Sequence, residues 1–126
     1  MKETNKLLIL SSSSKQRRKL INSLNIDFKV FYPEIKEIIN NNEKPEELVK
    51  RLSFLKAALA KKKYKNNYVI AGDTVVYSRK KIIDKTDKIP QAIVNLQNLS
   101  GKRHRVYTGV TFITRSNKVY TFFSKT

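Results

Sequence analysis

No cysteine occurs in the 126 residues, which excludes both a disulfide framework and a thiolate metal site. Histidine is present once, as His104, set among Lys102, Arg103 and Arg105 with no acid beside it. A lone imidazole in that setting fits neither a histidine metal site nor a catalytic triad, so His104 is expected to be a strand residue. Long apolar runs are missing as well. Leu7-Leu8-Ile9-Leu10 falls far short of the roughly 20 residues that a membrane-spanning helix needs. No small-residue cleavage pattern follows the first residues, so a secretory signal is not expected. With cysteine absent, this points to a cytoplasmic protein. There is no GxxxxGK[ST], which excludes a P-loop. We find no repeat, linker or low-complexity tail, and domains cluster near roughly 100–150 residues. Residues 1–126 therefore read as a single domain.

Acids are scarce beside bases: ten Asp and Glu against 27 Lys and Arg, for a net charge of +17 and a pI near 10.2. Such a charge attracts polyanions, nucleic acid and nucleotides alike. The basic residues are mostly Lys, in company with abundant Asn and Ile, as AT-rich coding would produce. Arg, which forks onto phosphates and guanine edges, is the minority. The run Lys61-Lys62-Lys63 ends an expected helix, where cations suit the negative end of the dipole. No aromatic RNA-binding platform and no helix-turn-helix is recognisable. A basic nucleic-acid-binding protein thus remains the reading from another class, and the composition does not favour it.

Periodicity gives the order of elements. Residues 6–10 read as a short buried strand, followed by a helix over 15–24 with Leu20, Ile21 and Leu24 as its apolar stripe. A second strand covers 28–32 and ends at Pro33. Pro45-Glu46-Glu47 opens a helix with proline and acids in its first turn. Leu48, Leu52, Leu55 and Leu59 recur at helical spacing through Tyr64. Residues 68–77 read as a strand broken by Gly72-Asp73, with a turn at 78–81 and a brief return strand at Ile82-Ile83. A helix is expected over 90–100 with Gly101 as its cap. A strand over 103–114, broken by Gly109, then turns at Ser116-Asn117 into a strand over 119–123. The order β-α-β-α-ββ-α-ββ is that of an α/β domain, and the last strand presents a hydrophobic edge.

Three constellations carry chemistry. Ser11-Ser12-Ser13-Ser14-Lys15-Gln16-Arg17 lies at a strand-to-helix turn, where hydroxyls, free N–H groups and the helix dipole suit a phosphate. Arg17 adds a charged donor; the plainer reading is an N-cap serine on a basic helix. Gly72-Asp73-Thr74 places a carboxylate inside an apolar strand, a costly position unless the acid is paired or holds a metal. It suits a general base or a Mg²⁺ ligand, against the alternatives of a bulge or a turn-satisfied Asp. Lys85 follows the short return strand and can share a cleft with Asp73 if the hairpin forms. Glu37 and Lys56 by themselves read as a loop acid and a solvated helical lysine.

The order and spacing of these segments resemble the Maf family. The resemblance rests on Leu10-Ser11-Ser12-Ser13-Ser14-Lys15-Gln16-Arg17, Lys36-Glu37, Arg51-Leu52 with Lys56-Ala57, Gly72-Asp73-Thr74-Val75-Val76, and Lys85. It rests most heavily on Leu99-Ser100-Gly101-Lys102-Arg103-His104-Arg105-Val106-Tyr107-Thr108-Gly109-Val110. It implies an inosine-triphosphatase-like α/β fold, a mixed curved sheet with flanking helices around a deep cleft. It implies an enzyme that hydrolyses nucleoside triphosphates to the monophosphate and pyrophosphate with a divalent cation, Mg²⁺ or Mn²⁺. Ser12, Ser14, Arg17, Lys56 and Thr74 would bind substrate, with Asp73 and Lys85 catalytic and Glu37 and Asp73 at the metal. Lys15, Gln16 and Lys36 depart from the family pattern, while Gly72-Asp73-Thr74 is similar to the branch acting on pyrimidine or general triphosphates. The family is also tied to limiting cell division and clearing modified nucleotides, for which no residue here argues.

The family pattern continues beyond the matched part, completing the sheet and one wall of the cleft. The expectation is therefore a fold incomplete at the C-terminus, the product of a truncated or split gene. Its alternatives are an inactive remnant and a nucleotide-binding half, with a homodimer or a complementing C-terminal fragment as partner.

Overall fold

Two periodicities, of two and of about 3.6 residues, organise the described residues, which in the computed structural model of the protein are 7–78, 81–83 and 104–126. The expected helix over 90–100, its cap Gly101, and Lys85 lie outside them. Period-two stretches form β1 (Leu8–Ser11), β2 (Phe28–Phe31), β3 (Tyr68–Ser78), β4 (Lys81–Ile83), β5 (His104–Ile113) and β6 (Val119–Lys125). Among the described residues these make one sheet in the order β2-β1-β3-β5-β6, with β4 paired to β3. β1 runs parallel to β2 and to β3, whereas β3–β4, β3–β5 and β5–β6 are antiparallel. The sheet is mixed and flanked by helices, the α/β class expected, and His104 is a strand residue as read. No helix among the described residues is long and apolar enough to cross a membrane.

Helix α2 (Pro45–Lys63) starts where the sequence says it should. Pro45 needs no N–H partner there, Glu46 and Glu47 face the positive end of the dipole, and Lys61, Lys62 and Lys63 the negative end. The Glu47 side chain also accepts from the Lys44 amide at 2.9 Å. Its buried face differs from the leucine stripe expected. Leu48 and Leu52 are buried, but Leu55 is exposed and Leu59 half-buried. The buried residues are Pro45, Leu48, Val49, Leu52, Ser53, Lys56, Ala57, Ala60 and Lys61. Small residues win this face because the helix lies close on the sheet. A Cβ at Gly109 of β5 would collide with the Val49 carbonyl and come within 2.9 Å of Val49 Cβ. Ile9, Ala57, Ala60, Val69, Ala71 and Ile113 form the core between α2 and the sheet, with Phe31 and Tyr64 packed against it. Each large aliphatic side chain fully buried there contributes about 1.5–3 kcal/mol.

Helix α1 (Lys15–Ser23) behaves differently. It buries no residue, and two of its expected stripe, Leu20 and Leu24, are 63% and 56% exposed while Ile21 is half-buried. Its contacts run mainly to β2, a four-residue strand at the end of the sheet order, which offers little surface to cover.

The most consequential correction concerns β3. Gly72-Asp73 does not break it, nor does Gly109 break β5. The pairing runs without a slip from Val69 opposite Ile113, through Asp73 opposite Gly109, to Ser78 opposite His104. A bulge is therefore excluded as the explanation for the buried acid. The turn after β3 is shorter than expected, because Lys81 already pairs with Ser78.

Candidate active site

Alternation along β3 sends Val69, Ala71 and Asp73 toward α2 and Gly72 and Thr74 to the opposite face. β1 stops pairing at Ser11 opposite Ala71, so Asp73 and Thr74 lie just past the carboxyl end of β1. The serine turn with the start of α1, the segment carrying Glu37 and the middle of α2 meet β3 at that edge, and each brings polar side chains.

On the α2 face, Asp73 is wholly buried and Lys56 is 7% exposed. Lys56 Nζ donates to Asp73 Oδ1 at 2.8 Å and stands 3.7 Å from Glu37 Oε1. The reading of Lys56 as a solvated lysine is thus corrected. The helical phase that buries Leu52 and Ala60 also turns Lys56 inward, and the acid on β3 is what compensates its burial. The Ser11 hydroxyl donates to the Lys56 carbonyl at 2.6 Å, tying the end of β1 to the same turn of α2. Glu37, on the irregular segment between β2 and α2, reaches this pair from the solvent side.

On the opposite face Arg17 donates from its guanidinium to Thr74 Oγ1 at 2.7 Å. Thr74 in turn lies 3.3 Å from Thr108 Oγ1 across the β3–β5 pair. Gly72 makes room for this arrangement, since a Cβ there would come within 2.9 Å of Arg17 Nε. Burial holds the Arg17 guanidinium below its ordinary range, an effect opposed by attraction to Asp73 and then to Glu37.

The serine turn fixes the start of α1. Ser14 is the N-cap, accepting from the Arg17 amide at 3.2 Å, and its own amide donates to Ser12 Oγ at 3.0 Å. The first turn holds no acid, so the dipole's positive end faces the site without an internal counter-charge.

The structure therefore brings Ser12, Ser14, Arg17, Glu37, Lys56, Asp73 and Thr74 to one edge of the sheet. Lys85, the remaining predicted site residue, lies outside the described residues. Sequence reasoning missed Thr108, whose role follows only from its register with Thr74, and the pair Glu43–Arg51. Arg51 Nε and Nη2 reach the two Glu43 oxygens at 2.7 and 2.8 Å, and Nη2 also reaches the Ile38 carbonyl at 2.5 Å. The guanidinium hydrogen bond, more than simple charge attraction, holds the Glu43 carboxyl below its ordinary range.

No group of three or more His, Cys, Asp or Glu side chains converges among the described residues. Two acids do meet at Lys56. A Mg²⁺-class ion is ordinarily held by one or two carboxylates with substrate phosphates and water completing its shell. Asp73 and Glu37 fit that donor set.

Comparison with known proteins gives concordant results. The sequence model of the family described as Maf-like protein matches residues 7–126. A dTTP/UTP pyrophosphatase of Thermosipho melanesiensis is 44% identical over 119 residues, covering 94% of this chain and 63% of that protein. One of Thermotoga maritima is 42% identical over 113 residues, covering 88% of this chain and 54% of the relative. The chain thus spans between half and two thirds of the length of these curated relatives. Among solved structures, a nucleoside-triphosphatase / dITP/XTP pyrophosphatase from Mycobacterium abscessus superposes with a TM-score of 0.58 at 14% identity, over 95% of this chain and 71% of that one. The Staphylococcus aureus Ham1 protein gives a TM-score of 0.58 at 13% identity. At that identity the two structures establish likeness of fold.

Proposed function

This chain belongs to the Maf-like protein family, and from that premise we propose that it hydrolyses nucleoside triphosphates to the monophosphate and pyrophosphate. The names of its relatives favour pyrimidine triphosphates, dTTP and UTP, as the substrate class. The observation that carries the reading is the buried Lys56 ammonium set between Asp73 and Glu37, with Arg17 anchored on Thr74 beside it. Few structural roles call for two acids and two cations on one sheet edge, whereas a triphosphate and its attacking water use all four.

In this reading the Ser12–Ser14 turn and the start of α1 receive phosphate oxygens through hydroxyl and amide donors. Arg17 and Lys56 supply the charge that neutralises the phosphate chain. Asp73 orients water against the α-phosphorus and accepts its proton as the bond to the leaving pyrophosphate breaks. Thr74, itself within 3.3 Å of Thr108, fixes the Arg17 head group. A Mg²⁺ or Mn²⁺ ion held by Asp73 and Glu37 would supply Lewis-acid stabilisation of the charge that develops on the phosphates. Lys85 belongs to the proposal as a further catalytic cation, and a cytoplasmic location accompanies it.

The test is pyrophosphate release from a panel of triphosphates with Mg²⁺ or Mn²⁺, comparing the chain with Asp73→Asn. Turnover that the variant lacks is the expected result. Folded chain with no turnover on any triphosphate would instead support the second reading, a nucleotide-binding half. That reading draws on the exposed Val119, Tyr120, Phe122 and Phe123 of β6, an apolar flank on which a complementing segment or second copy would pack.

A further inference from the structure

Glu37 has no regular structure to hold it. It lies in the stretch between Phe31 of β2 and Pro45 of α2, which forms neither strand nor helix, and the next two residues, Ile38 and Ile39, are 58% and 39% exposed. Burial of apolar side chains therefore does little to anchor this part of the loop, yet its carboxylate stands 3.7 Å from the Lys56 ammonium. Among the described residues, the hydrogen bonds that tie 38–43 to α2 converge on Arg51. Its Nη2 takes the carbonyl of Ile38, the residue directly after Glu37, at 2.5 Å, and its Nε and Nη2 take both oxygens of Glu43. Glu43 closes the loop on itself, accepting from the Asn40 amide at 3.0 Å, while its own amide donates to the Asn40 carbonyl at 3.1 Å. Asn42 carries the tight reversal at a φ of 60°, a conformation that asparagine tolerates better than most residues. Arg51 and Lys56 share α2, so the clamp and its target ride on one rigid element.

We infer that Arg51 is a positioning residue, whose bidentate grip on Glu43 and bond to the Ile38 carbonyl hold the Glu37 carboxylate at the Lys56 ammonium, which is itself paired with Asp73. The planar fork of the guanidinium is what this task requires, because a lysine ammonium cannot span both carboxylate oxygens and a backbone carbonyl in one plane. This inference rests on the proposed function in one respect: Glu37 is taken to contribute to a divalent-cation site.

The experiment is Mn²⁺ binding by electron paramagnetic resonance, with a triphosphate whose α,β-bridge resists hydrolysis. The parent chain is compared with Arg51→Ala, Arg51→Lys, Glu37→Gln and the double variant Arg51→Ala/Glu37→Gln. Groups that orient a metal ligand typically contribute about 10–100-fold to affinity, so Arg51→Ala should weaken Mn²⁺ by about tenfold or more. Arg51→Lys should fall between parent and alanine, and the double variant should bind as Glu37→Gln does. Amide exchange of 38–43 is read in parallel, because a merely structural clamp would speed exchange and leave Mn²⁺ affinity alone. That pattern overturns the inference, as does an Arg51→Ala loss that persists in full in the Glu37→Gln background, or a Glu37→Gln variant that binds like the parent. A parent chain that binds no Mn²⁺ at all sinks the metal part of the proposed function, and this inference with it. Unchanged Mn²⁺ binding in Arg51→Ala sinks the inference alone.

Discussion

The two helices among the described residues, α1 and α2, are held by opposite means. Helix α2 lies on its sheet with a row of buried side chains and a backbone approach so close that only glycine fits beneath Val49. Helix α1 buries nothing and is fixed at its N-terminus, by the Ser14 cap and by the reach of Arg17 to Thr74. Yet each delivers one cation to the same point of β3, Lys56 from one face and Arg17 from the other. The difference teaches that a side chain can be placed by packing or by polar tethers, and that the two placements fail differently. Damage on the α2 face should destabilise the fold, whereas damage on the α1 face should leave the fold standing and move a functional group.

The largest effect is expected from Lys56→Ala, which leaves the Asp73 carboxylate buried without its lysine. Removing one partner of a buried pair costs about 3–5 kcal/mol, and urea unfolding would register it as a shift in midpoint. A loss below about 1 kcal/mol, the range of exposed pairs, would break the comparison at its strongest point. The two glycines sharpen it next. Gly109→Ala drives a methyl group into the backbone of α2 and should cost about 1–3 kcal/mol or more. Gly72→Ala meets the movable side chain of Arg17, which can give way, so it should cost clearly less stability than Gly109→Ala. Turnover should nevertheless fall in Gly72→Ala, since Arg17 can no longer lie across Gly72 to reach Thr74. Equal destabilisation by the two alanines would erase the distinction between the faces. Ser14→Ala should cost about 0.5–2 kcal/mol, the usual value of an N-cap, with loss of helicity confined to α1 in amide exchange.

The smallest effect lies at the Glu43–Arg51 clamp and is read by pH. Arg51 holds the Glu43 carboxyl below its ordinary 4.5. The pair therefore contributes stability that is present above that value and lost as pH falls through the lower folded one. Because the pair is partly exposed, about 0.2–1 kcal/mol is at stake. Thermal unfolding of the chain and of Glu43→Gln should converge as pH falls well below 4.5 and separate by that amount at pH 7. A constant separation at both values would mean that the carboxylate charge is not what Arg51 grips.

Much of the architecture was legible because short-range rules govern it. The start of α2 follows from Pro45-Glu46-Glu47 and its end from the lysine run, and β5 and β6 follow from alternation around Ser116-Asn117. The serine turn could be read as an N-cap beside an anion-binding helix start without any structure. Gly72-Asp73 was misread as a break because local propensity counts glycine and aspartate against a strand. What overrides propensity here is the partner strand, with Gly109 opposite Asp73, and the lysine that comes from α2. Lys56 itself was misread because a charged residue at a helical position looks solvated until the phase of the helix is fixed by what it packs on. Thr108 and Arg51 stand inside the segments that carry the resemblance, but their pairing with Thr74 and Glu43 left no trace in local sequence, since register and loop path bring the pairs together.

The sequence by itself determined the order of the described elements, the limits of α1 and α2, the basic charge and the residue types able to handle phosphate, because propensity, capping and periodicity act over a few neighbouring residues. Only the tertiary structure decided that Asp73 and Thr74 face opposite ways along an unbroken β3, that Lys56 turns inward, and that Arg17 crosses Gly72. Those outcomes depend on strand pairing and on helix placement between residues far apart in the chain, and distance in sequence carries no force of its own.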